Sequence, residues 1–228
     1  MNTYPSTIDT RLRPLTAWRA VRALRDDPED TRQIFVIFRA LRGKSGYRLF
    51  ARFADSANGR RILAERRSLL AALSDHDYLS ALPAGSVGRT YLRFMQEEKL
   101  SADGLVMASG SDEPTLDPDI MLFRNRMRDA HDLTHILTGY GRDPLGELCL
   151  LAFMNRHVRN PGQLLIIAMA WKRMSGEARK AVWEAYCNGG KARWLVDQDY
   201  EAFLARPLDV VRRELAIRAP HRYEALAS

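Results

Sequence analysis

Apolar residues recur along most of this chain every three or four positions, the spacing that turns one face of an α-helix toward a core. On that period the first half of the sequence predicts helices over Leu15–Arg25, Thr31–Leu41, Tyr47–Phe53, Gly59–Glu65, Leu69–Leu73 and Val87–Glu98. The second half adds Pro118–Thr138, Pro144–Val158, Pro161–Arg173, Gly176–Asn188, Trp194–Ala205 and Pro207–Leu215. Pro144, Pro161 and Pro207 each stand where a first helical residue belongs, a position at which a missing N–H costs nothing. No stretch sustains an apolar–polar alternation of period two, so no sheet is expected. The expected fold class is all-α: a single-domain helical bundle over residues 1–228. The polar stretch Ser101–Asp117, rich in Ser, Asp, Gly and Pro, reads as a long loop beside the functional site and not as a linker, because 228 residues suit one core.

Charge and cysteine content refine this picture. Lys and Arg number 35 against 28 Asp and Glu, a net charge of +7. Such an excess suits anionic lipid headgroups or nucleic acid, and equally a surface that is merely soluble. Cys149 and Cys187 have no CxxC spacing and lie within apolar helical patterns, which predicts buried thiols in a reducing compartment. The opening MNTYPSTIDTRLRPL has neither a secretory apolar core nor amphipathic character, so no signal or transit peptide is expected. The longest apolar run, Leu164–Trp171, falls far short of the roughly 20 residues that span a bilayer, so no membrane crossing is expected.

The candidate chemistry is concentrated in His131-Asp132-Leu133-Thr134-His135, followed after eleven residues by Glu147. At about 100° per residue, with His131 at 0°, Asp132 falls near 100° and His135 near 40°, all on one helix face. Gly139-Tyr140-Gly141 is a helix stop, and Asp143-Pro144 restarts a helix as N-cap and first position. His135 lies four residues before the stop and Glu147 four after the restart, each about 6 Å along its axis. In an antiparallel helix pair Glu147 therefore returns to the level of His135 and supplies a fourth ligand. Two imidazoles and two carboxylates suit zinc, and also manganese or iron. An HxxxH pair alone is often a surface coincidence; the turn that brings Glu147 back sets this one apart.

Arg128 and Arg124 fall near 60° and 20° on the same stripe. Their guanidinium forks suit an acidic substrate, while Arg128 suits equally well a bracing contact to Asp132 or Glu147. Arg126 points elsewhere and reads as a surface or salt-bridge residue. The apolar stretches Leu148–Phe153 and Leu164–Trp171 fit a bundle core, and a tunnel for an isoprenoid tail would use the same residues. His76, His157 and His221 have no partner at ligand spacing and read as structural or exposed.

The string RMRDAHDLTH, with the glycine after it and Glu147 at its distance, resembles the Coq-four family of ubiquinone-biosynthesis proteins, whose metal motif runs His-Asp-x-x-His, eleven residues, Glu. The segment NGGKARWLVDQDYEAFLARPLDVVRREL is similar to that family's closing motif. The resemblance spans Leu92 to Leu215, and the N-terminal third carries nothing that matches. It implies an all-α protein at the periphery of a membrane, acting on polyprenylated aromatic precursors of ubiquinone. The implied activity is metal-dependent loss of the C1 carboxylate of 4-hydroxy-3-methoxy-5-polyprenylbenzoate, in an oxidative form with a hydroxyl taking its place. The implied ligands are His131, Asp132, His135 and Glu147, with zinc the first expectation and iron or manganese the alternatives; Arg128 would face the substrate's acid group. The implied partners are that substrate, other ubiquinone-biosynthesis enzymes, an anionic membrane surface and a second copy in a homodimer, with no nucleic acid. A start without a targeting extension reads as bacterial, giving an expected place in the cytoplasm at the inner membrane. A reading from another class is a lipid-binding scaffold with a structural metal. A zincin peptidase would need Glu in place of Asp132, and an HD-type phosphohydrolase would need further His and Asp on separate helices.

Overall fold

The computed structural model describes residues 11–27, 30, 32–98 and 117–225. Among them are thirteen α-helices, one 3₁₀ turn and no strand, as the period-3.6 pattern requires. The helices are α1 (Pro14–Asp26), α2 (Arg32–Arg42), α3 (Ser45–Asp55), α4 (Ala57–Glu65), α5 (Leu69–Ser74), α6 (His76–Ala81) and α7 (Val87–Glu97). They continue as α8 (Pro118–Thr138), α9 (Pro144–Val158), α10 (Pro161–Trp171), α11 (Gly176–Lys191), α12 (Tyr200–Phe203) and α13 (Leu208–Glu214), with the 3₁₀ turn Leu195–Asp197 before α12.

Local chemistry sets most of the boundaries. Side chains of Ser56, Ser86, Asp117, Asp143, Asn160 and Ser175 each accept from a backbone N–H in the first turn of the helix that follows, satisfying donors that have no partner inside the helix. Gly139, at φ 81°, ends α8 in the left-handed conformation that glycine adopts without strain.

The long helix α8 joins two apolar clusters. Near its start, Ile120 and Phe123 pack with Phe50 and Phe53 of α3, Ile62 of α4 and Val196. Toward its end, Leu133 and Leu137 enter the larger cluster with Tyr91 of α7, Leu150 and Phe153 of α9, Ala185 of α11, and Val211 and Leu215. Burying a side chain of this size stabilises the fold by about 1.5–3 kcal/mol, so the end of α8 is held firmly in place. α9 packs chiefly on α11 and sparsely on α8, while α1 lies on α2 and α2 on α10.

Several expectations are corrected. The short helix α6, capped by Asp75, was not anticipated, because Leu79 is its one buried residue and leaves no apolar period to read. The helix expected over Trp194–Ala205 is broken: Tyr200 donates its hydroxyl to the Leu195 carbonyl, and Gln198 donates its side-chain amide to the Trp194 carbonyl, so the 3₁₀ turn and the short α12 replace it. Pro144 and Pro161 open their helices as expected, whereas Pro207 is the N-cap and α13 starts one residue later. Of the two free thiols, Cys149 is buried and Cys187 only half-buried. The first ten residues, Thr31 and the loop expected over 101–117 up to residue 116 lie outside the described residues. Among the described residues, no helix is long and apolar enough to cross a membrane.

Candidate metal centre

The last two turns of α8 carry His131, Asp132 and His135, and one potential ligand atom from each lies within 4.8 Å of the others. His135 is fixed from behind. Its Nδ1 is 2.9 Å from the carbonyl oxygen of Tyr140, which only accepts, so Nδ1 holds the proton and Nε2 keeps its lone pair. That Nε2 lies 3.2 Å from Nε2 of His131. Glu147, in the first turn of α9, brings Oε1 to 3.4 Å from the same His135 atom and Oε2 to 3.8 Å from His131 Nε2.

The turn between the helices makes this return possible. Gly139 donates to the carbonyl of His135 at 2.8 Å, and Asp143 accepts from the amides of Leu145 and Gly146. A Cβ on Gly146 would sit 2.2 Å from the carbonyl oxygen of Gly141, so only glycine lets α9 start this close to the turn. The C-terminal segment clamps the turn from outside. The Tyr223 hydroxyl accepts from the Gly141 amide at 3.0 Å and donates to the Asp143 carboxylate. Arg212 donates to the carbonyls of Ile136 and Leu137, at 2.7 and 2.9 Å, capping the end of α8.

The cluster is electrostatically coupled. Burial and the neighbouring His135 push the His131 pKa down. Burial opposes a charge on His135 too, but a proton added at Nε2 would be donated to Glu147, and that bond with the carboxylate's charge outweighs burial and raises the pKa. Burial likewise works against the Glu147 carboxylate, and the bond to His135 with the surrounding positive groups, Arg142 among them, lowers its pKa overall. Two nitrogens each about 2.0–2.1 Å from a tetrahedral zinc are about 3.3 Å apart, and the two Nε2 atoms match that spacing. His135 and Asp132 are buried, whereas the side chains of His131 and Glu147 are both 38% exposed, so the cluster opens to solvent on one side.

The arginines are distributed otherwise than the helix stripe suggests. Arg128 donates twice to Asp129, at 2.8 and 2.9 Å, and is held there instead of bracing Asp132 or Glu147. Arg126, expected at the surface, is 2% exposed and forms a two-pronged ion pair with Glu201 at 2.6 and 2.7 Å. The guanidinium that does face the cluster is Arg142, whose Nε lies 3.8 Å from Glu147 Oε1. It was missed because it stands in the turn, off any helix stripe; its place between Gly141 and Asp143 was the available signal. The α7 face was missed as well. The Phe94 ring stacks on His135 at 6.1 Å between centroids, and Tyr91 is buried where burial and the charges of Asp132 and Asp129 raise its pKa. Of the other histidines, His76 and His221 are exposed, and His157 is buried with Nδ1 accepting from the Leu195 amide at 3.3 Å. The stretch Leu148–Phe153 contributes to the core, whereas α10 is only half-buried.

Comparison with known proteins places this geometry in context. The family described as "Coenzyme Q (ubiquinone) biosynthesis protein Coq4" matches residues 7–221, which takes in the N-terminal third that sequence reading left unmatched. The mitochondrial ubiquinone biosynthesis protein COQ4 homolog of Danio rerio is 30% identical over 174 residues, 74% of this chain and 63% of that protein. The corresponding protein of Talaromyces stipitatus is 32% identical over 179 residues, 76% of this chain and 61% of that protein. The match thus spans somewhat under two thirds of these relatives' length. A crystal structure of a Nostoc punctiforme protein, provisionally named for ubiquinone biosynthesis, superposes with a TM-score of 0.65 at 18% identity, covering 92% of this chain and all of that one, which shows a shared fold. The expected bacterial placement, in the cytoplasm at the inner membrane, is overturned: the relatives from Danio rerio, Yarrowia lipolytica and Talaromyces stipitatus are named mitochondrial. That expectation rested on where the sequence begins, which carries no information about compartment.

Proposed function

This chain belongs to the Coq4 family of coenzyme Q (ubiquinone) biosynthesis proteins, and on that premise we propose that it is a metal-dependent decarboxylase of 4-hydroxy-3-methoxy-5-polyprenylbenzoate, with His131, Asp132, His135 and Glu147 as ligands. The observation that carries this reading is the bond from His135 Nδ1 to the Tyr140 carbonyl, which leaves Nε2 bare and facing His131 and Glu147. Two imidazoles and two carboxylates fit zinc first, and iron or manganese where an oxidative form draws on dioxygen. A bound divalent cation would supply positive charge to stabilise electron density building on the ring and its phenolate.

The protein's own groups divide the remaining work. Arg142 binds the substrate's carboxylate at the open side of the cluster, a part Arg128 cannot take while Asp129 holds it. Phe94 keeps one face of His135 dry. The bond from C1 to the carboxylate breaks, its electron pair stays on the ring carbon, carbon dioxide leaves and a proton takes its place. In the oxidative form one atom of dioxygen supplies a hydroxyl there instead, and the other leaves as water with two electrons and two protons from an external two-electron reductant. Because the polyprenyl tail keeps the substrate in a lipid phase, the reading includes contact with an anionic membrane, neighbouring enzymes of the pathway and a homodimer.

Four protein donors would close a tetrahedral site, which suits a lipid-binding scaffold with a structural metal; the exposure of His131 and Glu147 favours an accessible, catalytic one. The deciding experiment incubates protein loaded in turn with zinc, iron and manganese with a prenylated methoxy-hydroxybenzoate and follows carbon dioxide and the phenolic product. Turnover that Glu147→Ala abolishes, with the helical CD spectrum intact, supports the enzyme. Inactivity with every metal, together with retained lipid binding, supports the scaffold.

A further inference from the structure

Helix α1 presents an outward face that the rest of the fold does not use. Ala17 and Ala20 are its buried residues, and it is pinned at its start by the Arg13 amide donating to the Ala40 carbonyl of α2 at 2.8 Å. On the opposite side, Leu12, Leu15 and Trp18 are 63%, 73% and 56% exposed. At about 100° per residue, with Leu15 at 0°, Trp18 falls near −60°, Arg22 near −20° and Arg19 near 40°, while Leu12 stands just before the helix. Two large apolar side chains and two arginines therefore share one exposed stripe, with Leu12 exposed beside its start. Between residues 11 and 25 stand five arginines and no carboxylate.

We propose that this face of α1 docks on an anionic lipid bilayer, with Leu12, Leu15 and Trp18 entering the headgroup–acyl boundary and Arg19 and Arg22 pairing with lipid phosphates. The inference rests on the reading above only in giving that reading's lipid substrate a point of entry. Leucine and tryptophan on a short basic helix are the groups that partition into a bilayer interface, and arginine stems lie along the apolar layer while their heads reach the phosphates. The Arg22 guanidinium already sits 4.9 Å over the Trp18 ring, which places cation and indole together at the depth where both are favoured. Charge argues against a second copy of the chain here: a two-fold contact through this face would bring Arg19 and Arg22 against the same arginines of the partner. Asp26, the last residue of the helix and near 20° on the same scale, is the one carboxylate of α1, against five arginines between residues 11 and 25, so the complementary surface is an anionic one.

The test is co-sedimentation of the full chain with sucrose-loaded vesicles, either pure phosphatidylcholine or with about a third phosphatidylglycerol. The protein is expected to sediment with the anionic vesicles, weakly with the neutral ones, and less as salt rises. Arg19→Gln and Arg22→Gln should each weaken anionic binding about fivefold. Leu15→Ser with Trp18→Ser should weaken it about tenfold or more, and brominated acyl chains should quench the wild type more than Trp18→Ser. All four positions are exposed, so the CD spectrum and melting midpoint should hold; Leu12→Ser alone gives a milder check. Unchanged binding in the double serine variant would overturn the proposal, as would equal binding to neutral vesicles. So would a change from dimer to monomer in the serine variant without loss of lipid binding, since that would make the face a protein interface. His135→Ala should bind vesicles like the wild type, so failure of the metal reading and failure of this one are told apart.

Discussion

The carbonyl oxygen of Tyr140 accepts the Nδ1 proton of His135 at 2.9 Å, so a residue beyond the end of α8 decides which nitrogen of a residue inside it is free to bind. Because the acceptor is backbone, changing the Tyr140 side chain cannot remove it; only the path of the turn can.

That dependence predicts what loosening the turn does. Tyr223→Phe removes the hydroxyl that accepts from Gly141 and donates to Asp143. The helical spectrum should stay intact, stability should fall by about 1 kcal/mol, and metal affinity should fall by about tenfold. Competition with a chromophoric chelator measures the affinity; an unchanged value would detach Tyr223 from the centre.

The proposed ligand set predicts roughly one divalent metal per chain in purified protein by elemental analysis. His135→Ala and Glu147→Ala should each lose most of it, whereas Arg128→Ala should retain it, since Arg128 is occupied by Asp129. Equal loss in all three would redirect attention to a general effect on folding.

Gly146→Ala should be costly out of proportion to one methyl group. Its Cβ would meet the Gly141 carbonyl at 2.2 Å, so the first turn of α9 must move and carry Glu147 with it. A loss of about 1–3 kcal/mol in urea denaturation is expected, together with weaker metal binding.

Arg126 and Glu201 form a pair that is largely withdrawn from water. Arg126→Ala leaves a carboxylate with its buried partner gone, and should cost about 3–5 kcal/mol. Arg126→Met combined with Glu201→Leu should recover most of that. A double variant as unstable as the single one would mean that the charges themselves, and not their pairing, matter.

His157 gives the fold a pH dependence. Burial, with the charges of Arg52 and Arg156, lowers its pKa to about 4 from 6.5. Below pH 6.5 the unfolded chain takes up a proton that the folded one refuses. Its contribution is therefore complete above that pH and declines as the pH falls toward 4, by up to about 3 kcal/mol. Melting curves across this window should show the decline in the wild type and a flatter profile in His157→Gln.

The parts of this structure that were legible in the sequence are those decided within a few residues. Pro118–Thr138 and Pro144–Val158 match the expected bounds because Asp117, Gly139 and Asp143 write the caps locally. The approach of Glu147 to His135 follows from the same signals. The misreadings concern side-chain bonds that helical periodicity does not register, one to a remote partner and two that fold back locally on the backbone. Arg126 is buried because Glu201 lies 75 positions away, and the 194–205 segment breaks because Tyr200 and Gln198 bond back to the backbone of Leu195 and Trp194. Arg142 was overlooked for another reason: a turn residue has no helical azimuth to betray its direction.

The clamp formed by Arg212 and Tyr223 has a consequence for the order of events during synthesis. The four candidate ligands leave the ribosome together, within seventeen residues, yet the groups that cap α8 and fasten its turn come some 75 residues later. A nascent chain therefore exposes its ligands well before it can hold them in register. The finished geometry becomes available only once Arg212 and Tyr223 have emerged.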